Sequence, residues 1–259
     1  MNQVLAALRD APHCSVSSIK SYLMCPMKYA NRYVHRTESS HRSIPLVMGK
    51  SVHDALESYY RFHQEHGDNP PVELLLDTFA TSWRRGVVGD PPIKSDDIGK
   101  DMDVGVGLVQ AFYEQAPRPR KVISVEDAFA LELEGDPQGR LIVGAIDAVV
   151  IDGDDRVVVV ESKTAARRWP AVQLEHDFQV SIYQQAARTM DILDPVLRFD
   201  FLLKLKKPVL ESVEVFRTPR QEQEALTIFK QVIRAVDSGI YYPVRSWACA
   251  NCEFAHACK

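Results

Sequence analysis

Glu161, Ser162 and Lys163 follow the apolar run Val157-Val158-Val159-Val160, and Asp147 closes an earlier apolar stretch after Gly144-Ala145-Ile146. Consecutive side chains of a strand point to opposite faces, so Glu161 and Lys163 share one face and Ser162 takes the other. Between the two stretches, Asp152-Gly153-Asp154-Asp155 is a turn signal that folds them back as a hairpin and brings Asp147 towards Glu161. Two carboxylates beside one amine suit a hard divalent cation such as Mg²⁺ or Mn²⁺, with the lysine placed to position or activate a water. That is the chemistry of phosphodiester hydrolysis. The competing reading of a strand-end Glu and Lys is an exposed ion pair.

A second group of chemistry-bearing residues sits at the chain ends. Cys249, Cys252 and Cys258 crowd the C-terminus, while Cys14 and Cys25 lie near the start. In a reducing compartment a C-x2-C-x5-C spacing points to metal ligation rather than disulfides, because two thiolates on one tight turn can face one centre. Three ligands need a fourth, and Cys25, in Ser21-Tyr22-Leu23-Met24-Cys25-Pro26, is the best donor; Cys14 is the spare. Four cysteines suit a tetrahedral Zn²⁺ and a [4Fe–4S] cluster alike, and spacing alone does not separate them.

The elements that must position these groups follow from periodicity and breakers. Residues 17–115 read mainly as helix, with Ser17 or Ser18 as N-cap and interruptions at Pro70-Pro71 and over 86–92; Ala116-Pro117-Arg118-Pro119-Arg120 is an extended exit. Strands are expected at 122–134, 141–151 and 157–163, with a turn at Gly135-Asp136-Pro137, making a three-stranded meander. A helix over 171–190, strands over 196–205 and 212–216, and a helix over 219–238 capped by Gly239 complete the chain. The fold class is α/β with a mixed sheet in αβββαβ order. Gln179 and Tyr183 lie four apart on one helix face, while Glu175, His176 and Asp177 read as solvated. Arg167, Arg168, Lys204 and Lys206 follow strands and suit phosphate contacts or a solvated charged face. Trp169, before Pro170, suits stacking on an unpaired base or packing of a loop.

At 259 residues, 46% hydrophobic and 25% charged, the chain can bury a substantial core, and no apolar stretch reaches bilayer-spanning length, so no membrane partner is expected. The N-terminus lacks a basic leader and a long apolar core, from which a cytoplasmic location is expected. A net charge of −4 does not advertise nucleic-acid binding, yet a nuclease requires only a local basic channel.

Taken in order, Gly144-x-x-Asp147, Glu161-x-Lys163 and Gln179-x-x-x-Tyr183 resemble the motifs of the PD-(D/E)XK nuclease superfamily, whose restriction-endonuclease-like core has the same element order. Cys25 with Cys249, Cys252 and Cys258 narrows the resemblance to RecB-like nucleases carrying a C-terminal iron–sulfur cluster, among them CRISPR-associated exonucleases and AddB-type domains. Residues 17–33 resemble the opening helix of that group, and Gly49-Lys50-Ser51-Val52-His53 its Gly-x-x-x-His segment. The resemblance implies that Asp147 and Glu161 are metal ligands together with His53 and the Ser162 backbone carbonyl. Lys163 would position or activate the water, and Gln179 and Tyr183 would orient the substrate strand or brace Lys163. The other reading of His53 is a hydrogen bond to Glu57 at i+4.

The resemblance further implies a [4Fe–4S] cluster at the four cysteines, with structural Zn²⁺ as the alternative. It divides the chain into a helical region (1–120) integral to the nuclease domain, a nuclease core (121–238) and a cysteine segment (239–259) stapled by Cys25. The implied function is a divalent-metal-dependent DNA exonuclease acting on DNA ends or single strands in recombination, repair or phage DNA processing, with a recombination helicase as a possible partner. A CRISPR adaptation nuclease that trims spacer precursors beside an integrase shares the same residues. A catalytically silent DNA-binding or assembly module is the rival from another class, and the intact Asp147, Glu161 and Lys163 argue against it.

Overall fold

Local signals set where the helices begin. In the computed structural model, which describes residues 3–192 and 195–258, α1 (Gln3–Leu8) and the two-residue β1 (His13–Cys14) precede α2 (Val16–Met24). The Ser15 hydroxyl accepts the Ser18 N–H at 3.2 Å and the Ser18 hydroxyl accepts the Ser15 N–H at 2.9 Å, a capping box. α2 therefore starts earlier than a Ser17 or Ser18 cap would allow, because the Ser15 and Ser18 pair satisfies two orphan N–H groups reciprocally. Next come α3 (Pro26–Tyr29), β2 (Arg42–Ser43), α4 (Ile44–His66), α5 (Val72–Val87), β3 (Ile93–Lys94) and α6 (Ile98–Gln115).

The meander consists of β4 (Lys121–Glu132), β5 (Leu141–Ile151) and β6 (Val157–Ala165). Asp152 closes its second turn, accepting the N–H groups of Asp154 and Arg156 at 2.9 Å each. Instead of one helix over 171–190 there are two, α7 (Ala171–Glu175) and α8 (Phe178–Thr189). The break is made by Asp177, whose extended backbone and side chain, accepting the Gln179 N–H at 2.8 Å, start α8 afresh. Asp177 is not solvated: it is 8% exposed and paired with Lys20. β7 (Val196–Leu203), β8 (Val209–Val215) and α9 (Pro219–Asp237) follow. Short 3-10 turns at Trp247–Asn251 and Ala255–Ala257 carry the C-terminal cysteines.

The six-stranded sheet is mixed. β5 pairs antiparallel with β4 and β6, and its first two residues pair in parallel with β1; β6 pairs in parallel with β7, and β7 antiparallel with β8. Val158 and Val160 share one buried core with Val52, Phe79, Trp83 and Phe112 of α4, α5 and α6, while Val159 shares the other with Ile182 and Phe229 of α8 and α9. A strand covered on both faces has no polar side, which is why β6 reads as an unbroken valine run. Among the described residues no helix is long and apolar enough to cross a membrane.

Packing of α6 on α4 and α5 is close at Gly105, where a Cβ would stand 2.1 Å from Phe79 Cζ and 2.8 Å from Met48 Sδ. Both neighbours are buried, so making room would disturb the core. Gly105→Ala is therefore expected to destabilise the fold by about 1–3 kcal/mol through overpacking, despite alanine's better helix propensity. The check is a thermal melt beside Gly153→Ala, where a Cβ meets nothing within 4 Å and no loss is expected.

Candidate active site

The β5–β6 ladder runs from Ile151 opposite Val157 to Ala148 opposite Val160 and stops there, while β6 continues against β7 as far as Ala165 opposite Leu203. The next pair in register would be Asp147 and Glu161, so the two acids stand where the strands part. Buried backbone groups at such a fork need other partners. The Ser162 N–H donates to Asp147 Oδ2 at 2.8 Å, and the Ala145 carbonyl accepts the Tyr183 hydroxyl at 3.1 Å. Gly144 has a packing reason beside them: a Cβ there would lie 2.6 Å from Phe129 Cζ, and the Phe129 ring crosses that space to meet Tyr183 edge-on at 5.7 Å.

Glu161 is 5% exposed. Its Oε1 is held by the Lys163 ammonium and accepts the Gln179 amide at 2.7 Å, and that amide also donates to the Tyr183 hydroxyl at 3.0 Å. Its Oε2 is buried with no hydrogen-bond partner, an arrangement that is costly for a carboxylate unless a cation faces it. Burial above all, and the charge of Asp147 next, push the Glu161 carboxyl up from its ordinary range against the pull of Lys163. Lys163 is itself held above its ordinary value: burial, the largest influence, opposes its charge, but Glu161, Asp147 and Asp177 together outweigh it.

His53, from α4, brings Nδ1 to 3.4 Å from Asp147 Oδ2, and Glu57 bonds Arg61 rather than His53. Burial works against both charged forms. Asp147 nevertheless lifts the imidazole to about 9, while His53 and the Ser162 N–H hold the Asp147 carboxyl below its ordinary range. A third group joins them: ligand atoms of His53, Glu126 and Asp147 all lie within 4.8 Å of one another. Glu126, with φ of 50°, lies within β4. Its neighbours pair Val125 with Ala148 and Asp127 with Ile146, which puts it opposite Asp147. Glu161 is outside this set of three. One imidazole with carboxylates fits Mn²⁺ or Mg²⁺ by donor chemistry, and the orphaned Glu161 oxygen fits a cation as well.

A profile of the PD-(D/E)XK nuclease superfamily matches residues 13–259. The chain belongs to that superfamily. Among solved structures, a Eubacterium rectale protein whose name proposes an exonuclease is similar over 93% of this chain and 86% of its own, with a TM-score of 0.56 at 14% identity, a likeness of fold. A protein named SSO0001 is 14% identical over 93% of each chain with a TM-score of 0.38. No curated protein matches the sequence.

Beside Lys163 and Gln179, a cleft of about 670 Å³ is lined by these two with Lys20, Trp169 and Tyr183 among others. Trp169 packs its ring on Phe201 at 5.1 Å and on Phe199 at 6.2 Å, so it is anchored while it lines the cleft. Arg167 is exposed, Arg168 is paired with Glu211, Lys204 is half-buried with burial pushing its ammonium down, and Lys206 is exposed. Cys25, Cys249, Cys252 and Cys258 line one cavity of about 40 Å³. Cys14 is absent from its lining and is 3% exposed, and burial pushes its thiol up to about 12.

Glu126 supplies a pH signature. Burial first, then the charges of Asp147 and Glu57, push its carboxyl up to about 7 in the folded protein. The folded state therefore binds that proton more tightly than the unfolded chain, so the associated stability is full at acid pH and is lost as pH rises through about 7. Glu126→Gln keeps the shape without the charge. In metal-free buffer its melting temperature should gain on that of the wild type between pH 5.5 and pH 8.5, and a constant difference across that range would contradict the assignment.

Proposed function

We propose that this nuclease is a divalent-metal-dependent DNA exonuclease of the RecB-like group, hydrolysing phosphodiester bonds at DNA ends or in single strands during recombination, repair or phage DNA processing. The observation that carries the reading is the buried Glu161 carboxylate. One of its oxygens is held by Lys163 and Gln179, and the other is orphaned. A Mg²⁺ or Mn²⁺ ion bound there by Asp147, Glu161, His53 and the Ser162 carbonyl would activate water and neutralise charge on the nonbridging oxygens. Lys163, fixed by Glu161 and facing the cleft, positions the attacking water and stays charged because its acid partner is beside it. Gln179 and Tyr183 hold the ligand face of the strand rather than reacting themselves. The exonuclease element rests on the motif resemblance and accords with the name of the Eubacterium rectale protein.

The same reading assigns a structural [4Fe–4S] cluster to Cys25, Cys249, Cys252 and Cys258. Their shared cavity supports it, as do N–H groups aimed at sulfur, from Val244 to Cys25 Sγ at 3.4 Å and from Ser246 to Cys249 Sγ at 3.5 Å. A tetrahedral Zn²⁺ with bonds of about 2.3 Å would draw its sulfurs to about 3.8 Å from one another. Zn²⁺ held by the same four thiolates is the alternative to the cluster. Bound there, the cluster would tie the end of α2 to the C-terminal segment.

Labelled linear and closed circular DNAs, incubated with Mg²⁺ or Mn²⁺, test the activity. Glu161→Ala and Lys163→Ala should each lower turnover by about 10²–10⁴-fold. Equal degradation by wild type and both variants would sink the mechanism, and cutting of closed circles would replace exonuclease with endonuclease. Anaerobically purified protein should contain iron that Cys25→Ser loses; zinc without iron would reject the cluster.

A further inference from the structure

We propose that Lys20 of α2 is a positioning residue of the nuclease centre, whose ammonium dictates which end of the Gln179 amide faces Glu161. The inference rests on the reading of Glu161 as a metal ligand. Lys20 Nζ donates to Asp177 Oδ2 at 2.7 Å and Oδ1 at 3.0 Å, and to Gln179 Oε1 at 3.2 Å. An ammonium has donors only, so the amide end turned towards it must be the oxygen. The nitrogen then faces Glu161 Oε1 at 2.7 Å, and an ionised carboxylate only accepts. Partners of opposite character on the two sides leave the amide one orientation.

That orientation decides what Glu161 can offer. With the Gln179 amide and the Lys163 ammonium both on Oε1, Oε2 stays free of protein donors and is left for a cation. A reversed amide would set its oxygen against the carboxylate, and the side chain would swing away. Lys20 also anchors the Gln179 backbone, because its partner Asp177 is the residue that accepts the Gln179 N–H. The helix presenting Lys20 is held at both ends. Ser15 and Ser18 cap its start, and near its end the Tyr22 hydroxyl donates to the Ile240 carbonyl at 2.8 Å. The Lys20 ammonium lies 5.5 Å from the centre of the Phe178 ring, and the side chain is 34% exposed at the cleft wall.

The test compares wild type, Lys20→Met and Lys20→Arg by calorimetric Mn²⁺ titration of the metal-stripped protein and by kcat and KM on linear DNA. Lys20→Met should bind Mn²⁺ about 10–100-fold more weakly and lose kcat by a similar factor, with KM for DNA unchanged, and Lys20→Arg should restore most of both. A lysine acting merely as a nearby positive charge predicts the opposite sign, tighter Mn²⁺ on its removal, and that result overturns the proposal. Raised KM at constant kcat would make Lys20 a DNA contact and overturn it too. Should Lys20→Met melt early because Asp177 is left buried and unpaired, Lys20→Met with Asp177→Asn keeps the cap without the charge and carries the same measurements. Unchanged Mn²⁺ affinity in an otherwise active protein rejects Lys20 alone. A wild type that neither binds Mn²⁺ nor cleaves DNA overturns the metal-site reading, and this inference with it.

Discussion

The parting of β5 from β6 after Ala148 and Val160 is the constraint on which the rest of the site depends. Had the ladder run one pair further, Asp147 and Glu161 would face each other as like charges across an antiparallel pair, at about 4.5–5.5 Å between Cβ atoms, an arrangement that destabilises a sheet. The fork relieves that contact and gives each carboxylate its own surroundings. Asp147 turns to the Ser162 N–H and to His53, whereas Glu161 stays buried on the strand with Lys163 and Gln179. β7 makes the fork tolerable, because its parallel pairing with β6 continues through Glu161, Ser162 and Lys163 and keeps their backbone regular after β5 has left.

Different surroundings drive the two acids in opposite directions. Burial raises both, but the His53 imidazolium and the Ser162 N–H overcome it for Asp147, and nothing of equal strength does so for Glu161. The site thus holds one carboxylate that is comfortably ionised and one that is short of positive partners, with Glu126 a third acid pushed up by the same crowding. An added divalent cation answers that imbalance. It would give the orphaned Glu161 oxygen a partner and neutralise the excess of acid, so affinity for metal would be built from the same desolvation that makes the metal-free site costly.

Much of this was legible in the sequence where the signal is local. The valine run, the Asp152 turn and the two-residue spacing of Glu161 and Lys163 together specify a hairpin with its acids at one end, and the helix-face spacing of Gln179 and Tyr183 corresponds to a direct hydrogen bond at 3.0 Å. Groups that depend on distant contacts were not legible. Glu126 reaches Asp147 only through the β4–β5 register and a backbone with φ of 50°, and no residue pattern signals such a turn inside a strand. Counting back across the Gly135-Asp136-Pro137 turn would have placed it opposite Asp147. The helix break at Asp177 did have a local signal, an Asp ahead of a new apolar turn, but the longer periodicity of 171–190 masked it. The burial of Asp177 follows from Lys20, a partner far away in the sequence.

The strands carry the acids and the lysine, yet the groups that discipline them come from helices on both faces of the sheet. His53 arrives from α4, whose residues Val52 and Leu56 share a core with Val158 and Val160 of β6, so the packing that buries the strand also fixes the imidazole against Asp147. On the opposite face, Ile19 of α2 shares a core with Val159 of β6 and Ile182 of α8, and the same contact lays Lys20 beside Asp177 and Gln179. Each face thus couples one buried apolar contact to one polar contact at the fork. Because β6 is covered on both sides, loosening either helical layer would both expose valines and release His53 from Asp147 or Lys20 from Asp177 and Gln179, so stability and site geometry here draw on the same residues.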